Sequence, residues 1–169
     1  AFSKLFVQTE IIPQRQAILC TRRPRSHDEP APWMFHLMAI HGPHSLDVSF
    51  ETDRMAFIGR GRTVAAPQAM QVAGRLSGNQ GSVLDPIVAI RHRIPLEPQQ
   101  TATINMASGM AETRAAALSL VGKYQDRHLA DRVFDLAWTH SWVTLRQINA
   151  TESDAQLYAR LASSVIHAN

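Results

Sequence analysis

The first 110 residues carry the alternation of apolar and polar positions that is typical of β-strands. The clearest case is the segment 46–51, in which Leu, Val and Phe alternate with Asp, Ser and Glu, and which predicts a half-buried antiparallel strand with one face in water. Segment 33–41 has the same period, and the Gly42-Pro43 pair after it predicts a hairpin between these two strands. Further strands are predicted at 6–12, 17–22, 87–94 and 101–107.

The segment 53–82 interrupts this pattern. It has no steady hydrophobic period and contains five glycines, so it predicts a long excursion away from the sheet. Loops longer than about 12 to 15 residues are uncommon in compact domains and are usually functional or disordered. The excursion is therefore the first place in which to look for a site.

The last third of the chain changes to a helical period. Segment 111–121 is rich in Ala and Leu, and Gly122 follows it in the position of a C-cap glycine. Segment 126–147 predicts a long amphipathic helix. A third helix is predicted to begin at Thr151, because Thr151 and Asp154 have the spacing of a capping box.

These patterns predict a mainly β fold with C-terminal α structure. An antiparallel β-sandwich segment is expected over residues 1–110, and helices over 111–169. The chain begins with Ala1 and ends in a helical pattern, which suggests an excerpt of a longer protein.

Composition narrows the class of protein. With 45% hydrophobic and 18% charged residues, the chain is expected to bury a core. A net charge of +3 is too small to indicate a nucleic-acid-binding surface. The single Cys20 excludes an intrachain disulfide and favours a reducing, cytoplasmic location. No apolar run approaches the roughly 18 residues of a membrane span, so no membrane contact by this chain is expected.

The best candidate site lies just after the strand at 46–51. Arg54, Arg60 and Arg62 offer guanidinium groups that suit vicinal hydroxyls, a carboxylate or a phosphate, and Gly59 lets a ligand approach the backbone. The structural alternative is that Asp53 forms an ion pair with Arg54 or Arg60 and fixes the loop to the sandwich. The glycine spacing matches neither a dinucleotide fingerprint nor a P-loop.

Other candidates have stronger structural explanations. The segment 21–27, with three arginines and His27, is expected to be a solvated strand end. His36, His41, His44 and His92 lack a recognised ligand spacing, so neither a metal nor another cofactor is predicted. Asp85 precedes a proline and is expected at a turn, and the Trp138–Trp142 pair is expected in a core rather than at a sugar-stacking surface.

Five ordered motifs resemble the glycoside phosphorylase portion of the cyclic β-1,2-glucan synthases, in glycoside hydrolase family ninety-four, formerly glycosyltransferase family thirty-six. They are FSKLFVQTE at 2–10, CTRRPR at 20–25, ETDRMAFIGRGR at 51–62, LSGNQGSVLDPI at 76–87 and DAQLYARLA at 154–162.

The resemblance implies the latter part of a supersandwich, linker helices and, at most, the first helix of an (α/α) barrel that carries the catalytic acid. No catalytic residue is therefore assigned, and carbohydrate binding or scaffolding is expected. The partners implied are β-glucan or inorganic phosphate and the rest of a parent glycosyltransferase chain at the bacterial inner membrane. By the same resemblance, the residues expected to contact the substrate are Arg54, Phe57, Gly59, Arg60 and Arg62.

The residues alone leave three competing functions open. An interaction module would use the apolar stripe of Leu157, Leu161 and Val165 to form a homodimer. A stand-alone phosphorylase or hydrolase would need a general acid, for which Asp85 is the best isolated carboxylate. Nucleic-acid binding would depend on the arginines of segment 21–25, and no nucleic-acid partner is expected.

Overall fold

The computed structural model describes residues 2–26, 28–43 and 46–167. The chain divides into two compact units, one ending at Arg127 and the other beginning at His128. The first unit contains two antiparallel sheets and the helix that follows them, and the second contains two long helices. The predicted class, mainly antiparallel β with C-terminal helices, is confirmed.

Among the described residues, the first unit contains seven strands and three helices. Its strands are β1 (Val7–Ile12), β2 (Ala17–Arg22), β3 (Trp33–His41), β4 (Asp47–Asp53), β5 (Gly81–Ser82), β6 (Pro86–Arg93) and β7 (Thr103–Ala111). Its helices are α1 (Arg54–Ile58), α2 (Gln68–Gln71) and α3 (Arg114–Tyr124), with short 3-10 turns at Phe2–Phe6 and Pro13–Arg15.

The strands form two sheets. A five-stranded sheet has the order β5-β1-β2-β3-β7, and a two-stranded sheet pairs β4 with β6. All the pairings are antiparallel. The predicted hairpin of 33–50 is therefore wrong, because β3 pairs with β2 and β7 while β4 belongs to the other sheet. The chain crosses between layers after Gly42-Pro43 instead of turning back within one sheet.

Two apolar clusters hold the first unit together. Between the sheets, Ile18, Cys20 and Phe50 are buried and are surrounded by half-buried Val88 and Ile90. Strand residues alternate between faces, so the neighbours of Ile18 and Cys20 point the other way. That opposite face packs against α3 in a cluster that contains Ala17, Leu19, Phe35, Leu37, Ala39, Ala117 and Val121.

Helix α3 closes the outer face of the five-stranded sheet. The Thr113 side chain caps it by accepting a hydrogen bond from the Ala116 N–H at 3.1 Å. The predicted C-cap at Gly122 is wrong, because the helix continues to Tyr124, whose side chain packs against the same cluster. The predicted domain boundary at residue 110 lies near the change from strands to helices. The first compact unit extends beyond it to Arg127 and includes α3.

The second unit contains α4 (Arg127–Gln147) and α5 (Glu152–Ile166). The capping box that begins α5 is confirmed, because Thr151 and Asp154 exchange side-chain-to-backbone hydrogen bonds. These bonds lower the pKa of Asp154. Trp138 and Trp142 meet edge to face at 5.8 Å, and they are 67% and 42% exposed, so their predicted core position is wrong.

Candidate functional site

The arginine segment, residues 54–62, begins as a short helix directly after β4. Asp53 is its N-cap and accepts a hydrogen bond from the Met55 N–H at 2.8 Å. Asp53, which the sequence suggested as an ion-pair partner of Arg54 or Arg60, therefore caps the helix. At the other end, the Gly59 N–H donates to the Met55 carbonyl at 2.9 Å, and the helix stops.

Arg54 is held by Asp85, an acid that follows the excursion in sequence. Its guanidinium lies 3.5 Å from Asp85 Oδ2, and Lys4 Nζ lies 2.8 Å from Asp85 Oδ1. The hydrogen bond from Lys4, with the nearby charge of Arg54, lowers the pKa of Asp85. A carboxylate with a lowered pKa is a poor proton donor near neutral pH, which argues against Asp85 as a general acid.

Gly59 and Gly61 shape the turn after α1 in different ways. Both have positive φ, at +85° and +72°. A Cβ at Gly59 would lie 2.4 Å from Gln68 Oε1 in α2, whereas a Cβ at Gly61 would meet nothing within 4 Å. Gly59 is therefore required for close packing of α1 on α2. The residue after each glycine, Arg60 or Arg62, is exposed.

The three arginines of the segment have three different surroundings. Arg54 pairs with Asp85, and Arg62 donates from Nη1 to Gln71 Oε1. Arg60 is exposed at the tip of the turn. Phe57 is half-buried and lines an apolar cavity of about 430 Å³ together with Met70 of α2. Of the five residues predicted to contact a substrate, Phe57 is the one that lines this cavity.

A buried carboxylate beside the segment was not expected from the sequence. Glu51 is 1% exposed, and its Oε1 accepts hydrogen bonds from the N–H groups of Thr52 at 3.0 Å and Asp53 at 2.9 Å. Its Oε2 accepts from the Ser77 hydroxyl. The predicted wet face of β4 is therefore wrong, because Ser49 and Glu51 are covered where the excursion folds back over the sheet.

A chain of hydroxyl contacts extends this polar cluster to β1. Thr52 is fully buried, and its Oγ1 donates to the Asn79 carbonyl at 2.7 Å. Thr9 of β1 lies 2.7 Å from the same hydroxyl. On the adjoining turn, the Gln80 side chain accepts from the Ile11 N–H at 2.9 Å. The motif at 76–87 therefore joins the two sheets through backbone and hydroxyl groups.

Arginines from the two-stranded sheet hold the middle of the excursion, at residues 69–74. Arg91 is 9% exposed and donates to the carbonyls of Ala69 and Gly74, and to that of Val72 at 3.2 Å. Arg93 donates to the Val72 carbonyl at 3.1 Å. These arginines bind the protein's own backbone. The one available signal in the sequence was the presence of basic residues in an otherwise apolar strand.

The remaining candidate residues are explained by contacts or burial within the protein. His36 Nδ1 lies 2.7 Å from the Ser108 hydroxyl across the sheet, and desolvation lowers its pKa. Cys20 is buried, and desolvation raises the pKa of its thiol to about 11. His27 and His44 lie outside the described residues.

Among the described residues, no three His, Cys, Asp or Glu side chains are grouped so that they could hold a metal ion. No described helix combines the length and apolar character needed to cross a bilayer.

Comparison with known protein families gives a match whose boundary coincides with that of the first compact unit. The model of the family described as "Glycosyl hydrolase 94, supersandwich domain" matches residues 1–127, which is where the first compact unit ends. The chain is also 28% identical over 166 residues to the cyclic beta-(1,2)-glucan synthase NdvB of Rhizobium meliloti (strain 1021). That match covers 98% of this chain and only 6% of the relative's length. The family match spans 127 of 169 residues and agrees with two antiparallel sheets in separate layers, and the chain therefore belongs to the glycosyl hydrolase 94 supersandwich family.

Proposed function

We propose that this chain is a noncatalytic scaffold segment of a larger glucan-processing enzyme. The observation that carries the proposal is the internal use of the polar groups around the arginine segment. Asp53 caps a helix, Arg54 pairs with Asp85, and Glu51 is buried against backbone N–H groups. These contacts fix the position of the loop, and they engage all three acids described around the arginine segment, Glu51, Asp53 and Asp85.

Within this scaffold, we propose Arg60 as the residue of the segment that contacts a ligand. It is exposed at the turn between two glycines with positive φ, beside the half-buried Phe57. A guanidinium in that position suits the vicinal hydroxyls of a β-glucan or the oxygens of inorganic phosphate. Arg54, Gly59 and Arg62 would then support the turn through their contacts with Asp85, Gln68 and Gln71.

The activity proposed for the parent is the phosphate-dependent cleavage or resynthesis of β-1,2-glucan ends. This proposal follows from the family and from the name of the glucan synthase that the chain resembles, and it assigns the catalytic acid to a part of the parent outside this chain. By the same resemblance, the parent is proposed to act at the bacterial inner membrane, with this segment on the cytoplasmic side.

A phosphorolysis assay tests the scaffold proposal. Linear β-1,2-glucan and phosphate are incubated with the 169-residue chain and with the native polypeptide that contains it, and glucose 1-phosphate is measured. Only the native polypeptide is expected to release product. Product release by the chain alone would show that the catalytic groups lie within it and would overturn the scaffold proposal.

The ligand contact is tested separately in the native polypeptide. Arg60→Ala is expected to raise KM by about 10- to 100-fold, the factor that corresponds to losing one charge-assisted hydrogen bond. The matched control is Arg25→Ala, which removes another exposed arginine of the same unit. Equal KM values for the two variants would remove the ligand contact and leave the scaffold role intact.

A second candidate function is self-association through α5. Leu157, Leu161 and Val165 recur at helical spacing and are 52%, 55% and 79% exposed, as an interaction stripe would be. Light scattering of the isolated chain should then give a dimer that Leu161→Glu dissociates. A monomer at high concentration would rule this function out.

A further inference from the structure

A second cavity, of about 430 Å³, lies along β4, and we call it the β4 cavity. Its lining comes from the end of β1 and the turn after it, from residues 48–50 of β4, and from residues 75–80 of the excursion. Among the described residues, none from the arginine segment 54–62 contributes to it. One ordered water needs about 10–15 Å³, whereas sites for small molecules have about 300–1,000 Å³. The β4 cavity therefore has the size of a ligand site.

The lining includes a buried hydroxyl group that the protein does not satisfy. Ser49 is 4% exposed, and its Oγ has no hydrogen-bond partner among the described residues. Glu51, the next residue on the same face of β4, is bonded at both of its carboxylate oxygens. Buried polar side chains normally have a partner, and one left without a partner lowers stability. Because Ser49 lines the cavity, a molecule bound there can supply the missing hydrogen bond.

The other polar groups of the lining are donors without a net charge. Gln80 uses its Oε1 to accept from the Ile11 N–H at 2.9 Å, and its NH2 group donates to no described protein group. Arg75 is the one charged residue of the lining, and its Nε donates to Asp47 Oδ1 at 3.0 Å. Its Nη2 donates to the Val48 carbonyl at 3.0 Å. The charge of Arg75 is thus balanced, and the cavity suits a neutral ligand that carries acceptor oxygens.

Apolar side chains form the rest of the cavity wall. Ile11 and Val48 are half-buried and pack against the core between the sheets, and Leu76 of the excursion is half-buried as well. Ligand sites typically combine such apolar walls with a few polar groups that fix orientation. A sugar ring matches both parts, because its hydroxyl groups lie at the edge of the ring and its C–H groups make the faces apolar.

We propose that the β4 cavity binds one neutral sugar unit of a β-glucan chain. Hydroxyl groups of the sugar bond to the Ser49 hydroxyl and the Gln80 NH2 group. A C–H face of the ring packs on Ile11, Val48 and Leu76. The choice of a glucan rests on the function proposed above, whereas the neutral charge and the apolar face of the ligand follow from the lining.

Isothermal titration calorimetry of the 169-residue chain tests the proposal with a linear β-1,2-gluco-oligosaccharide and, separately, with inorganic phosphate. The wild-type chain is expected to bind the oligosaccharide and not phosphate. Ser49→Ala should weaken this binding by about 3- to 10-fold, the factor that corresponds to one neutral hydrogen bond. The matched control is Ser119→Ala, which removes an exposed hydroxyl of α3 outside the cavity and should leave the affinity unchanged.

Urea denaturation separates a ligand contact from a structural role of the same hydroxyl. Without sugar, Ser49→Ala should unfold at the wild-type urea concentration or a higher one, because the hydroxyl has no partner among the described residues. Saturating oligosaccharide should raise the midpoint of the wild type more than that of Ser49→Ala. A lower midpoint without sugar, together with unchanged affinity, would show that the hydroxyl is bonded within the protein and would overturn the proposal.

The site in the β4 cavity and the proposed Arg60 contact fail in different experiments. A wild-type chain that binds no oligosaccharide, or whose bound oligosaccharide is displaced by phosphate, would overturn the cavity site. Loss of binding in Arg60→Ala with full binding in Ser49→Ala would also overturn it, because the sugar would then lie at the arginine segment. The KM of Arg60→Ala in the native polypeptide tests the Arg60 contact whichever of these results is found.

Discussion

Replacing Glu51 with Leu tests whether the buried carboxylate is retained as a hydrogen-bond acceptor. In the native protein, Glu51 Oε1 accepts from the N–H groups of Thr52 and Asp53. Leu has a similar size and no acceptor, so the substitution removes these two bonds and the one from the Ser77 hydroxyl without leaving a large cavity. Gln at the same position keeps one acceptor oxygen, removes the charge and replaces the second oxygen with an NH2 group. The two variants therefore separate the acceptor from the charge.

The expected magnitude follows from the burial of the two donors. A buried donor left without a partner costs about 1–3 kcal/mol. Thr52 is fully buried and Asp53 is half-buried, so Glu51→Leu should lower the free energy of unfolding by about 2–4 kcal/mol. For Glu51→Gln the free energy of unfolding should change by no more than about 1 kcal/mol, because the loss of charge-assisted hydrogen bonds is offset by the removal of a buried charge.

Urea denaturation of the first unit provides the measurement. Replacing Trp138 and Trp142 with Phe leaves Trp33, which packs beside the sheet core, as the fluorescent reporter. At a slope of about 2 kcal/mol per molar urea, Glu51→Leu should lower the midpoint by about 1–2 M. The exposed control Glu97→Leu should change stability by less than about 0.5 kcal/mol. Equal losses for Glu51→Gln and Glu51→Leu, or a Glu51→Leu as mild as the control, would refute the reasoning.

Three further predictions concern the same unit. Gly59→Ala should destabilise it by about 2–4 kcal/mol in urea denaturation, and Gly61→Ala by about 1 kcal/mol, because only the first Cβ would collide with Gln68; equal losses would contradict this. The hydrogen bond from Arg114 lowers the pKa of Glu10 below its ordinary value of 4.5. The ionised Glu10 side chain therefore adds to the free energy of unfolding above pH 4.5, and this stabilisation disappears as the pH falls through the lowered pKa. The stability difference between wild type and Glu10→Gln should therefore narrow in acid, and a pH-independent difference would exclude this linkage. Burial raises the Cys20 pKa to about 11, so iodoacetamide at pH 8 should modify the folded chain far more slowly than the urea-unfolded one, and similar rates would disprove burial of the thiol.

Local periodicity predicted most of the strands because it depends on residues that are close in sequence. The segments 17–22 and 33–41 became β2 and β3 with those bounds, and the capping box placed the start of α5. Pairing depends on distant residues, and the predicted hairpin of 33–50 failed for that reason. A Gly-Pro pair indicates a change of direction, but whether the next strand joins the same sheet depends on the competition between β7 and β4 for the edge of β3.

The burial of Glu51 shows a second limit of sequence patterns. Alternation correctly placed Glu51 on the face opposite Phe50, and the sequence had no means of showing that the excursion covers this face. The family motifs at 51–62 and 76–87 were recognised separately. In the structure, they meet through the bonds of Glu51 and Thr52 to Ser77 and Asn79. Contacts between two motifs that are more than 20 residues apart depend on the tertiary fold, and local sequence patterns do not predict them.

These polar contacts explain how a long excursion with few regular elements is held in one place. Glu51 and Arg91 lie on the same outer face of the two-stranded sheet, because Ser49, beside Glu51 in that row, is paired with Arg91. The carboxylate accepts from backbone N–H groups, while the guanidinium donates to carbonyls of the excursion. Backbone groups without strand or helix partners need other ones when they are covered. Two buried side chains of opposite charge meet this need on the same face of the sheet, and the arginine segment, which lies in sequence between their contacts, is thereby held in a fixed position.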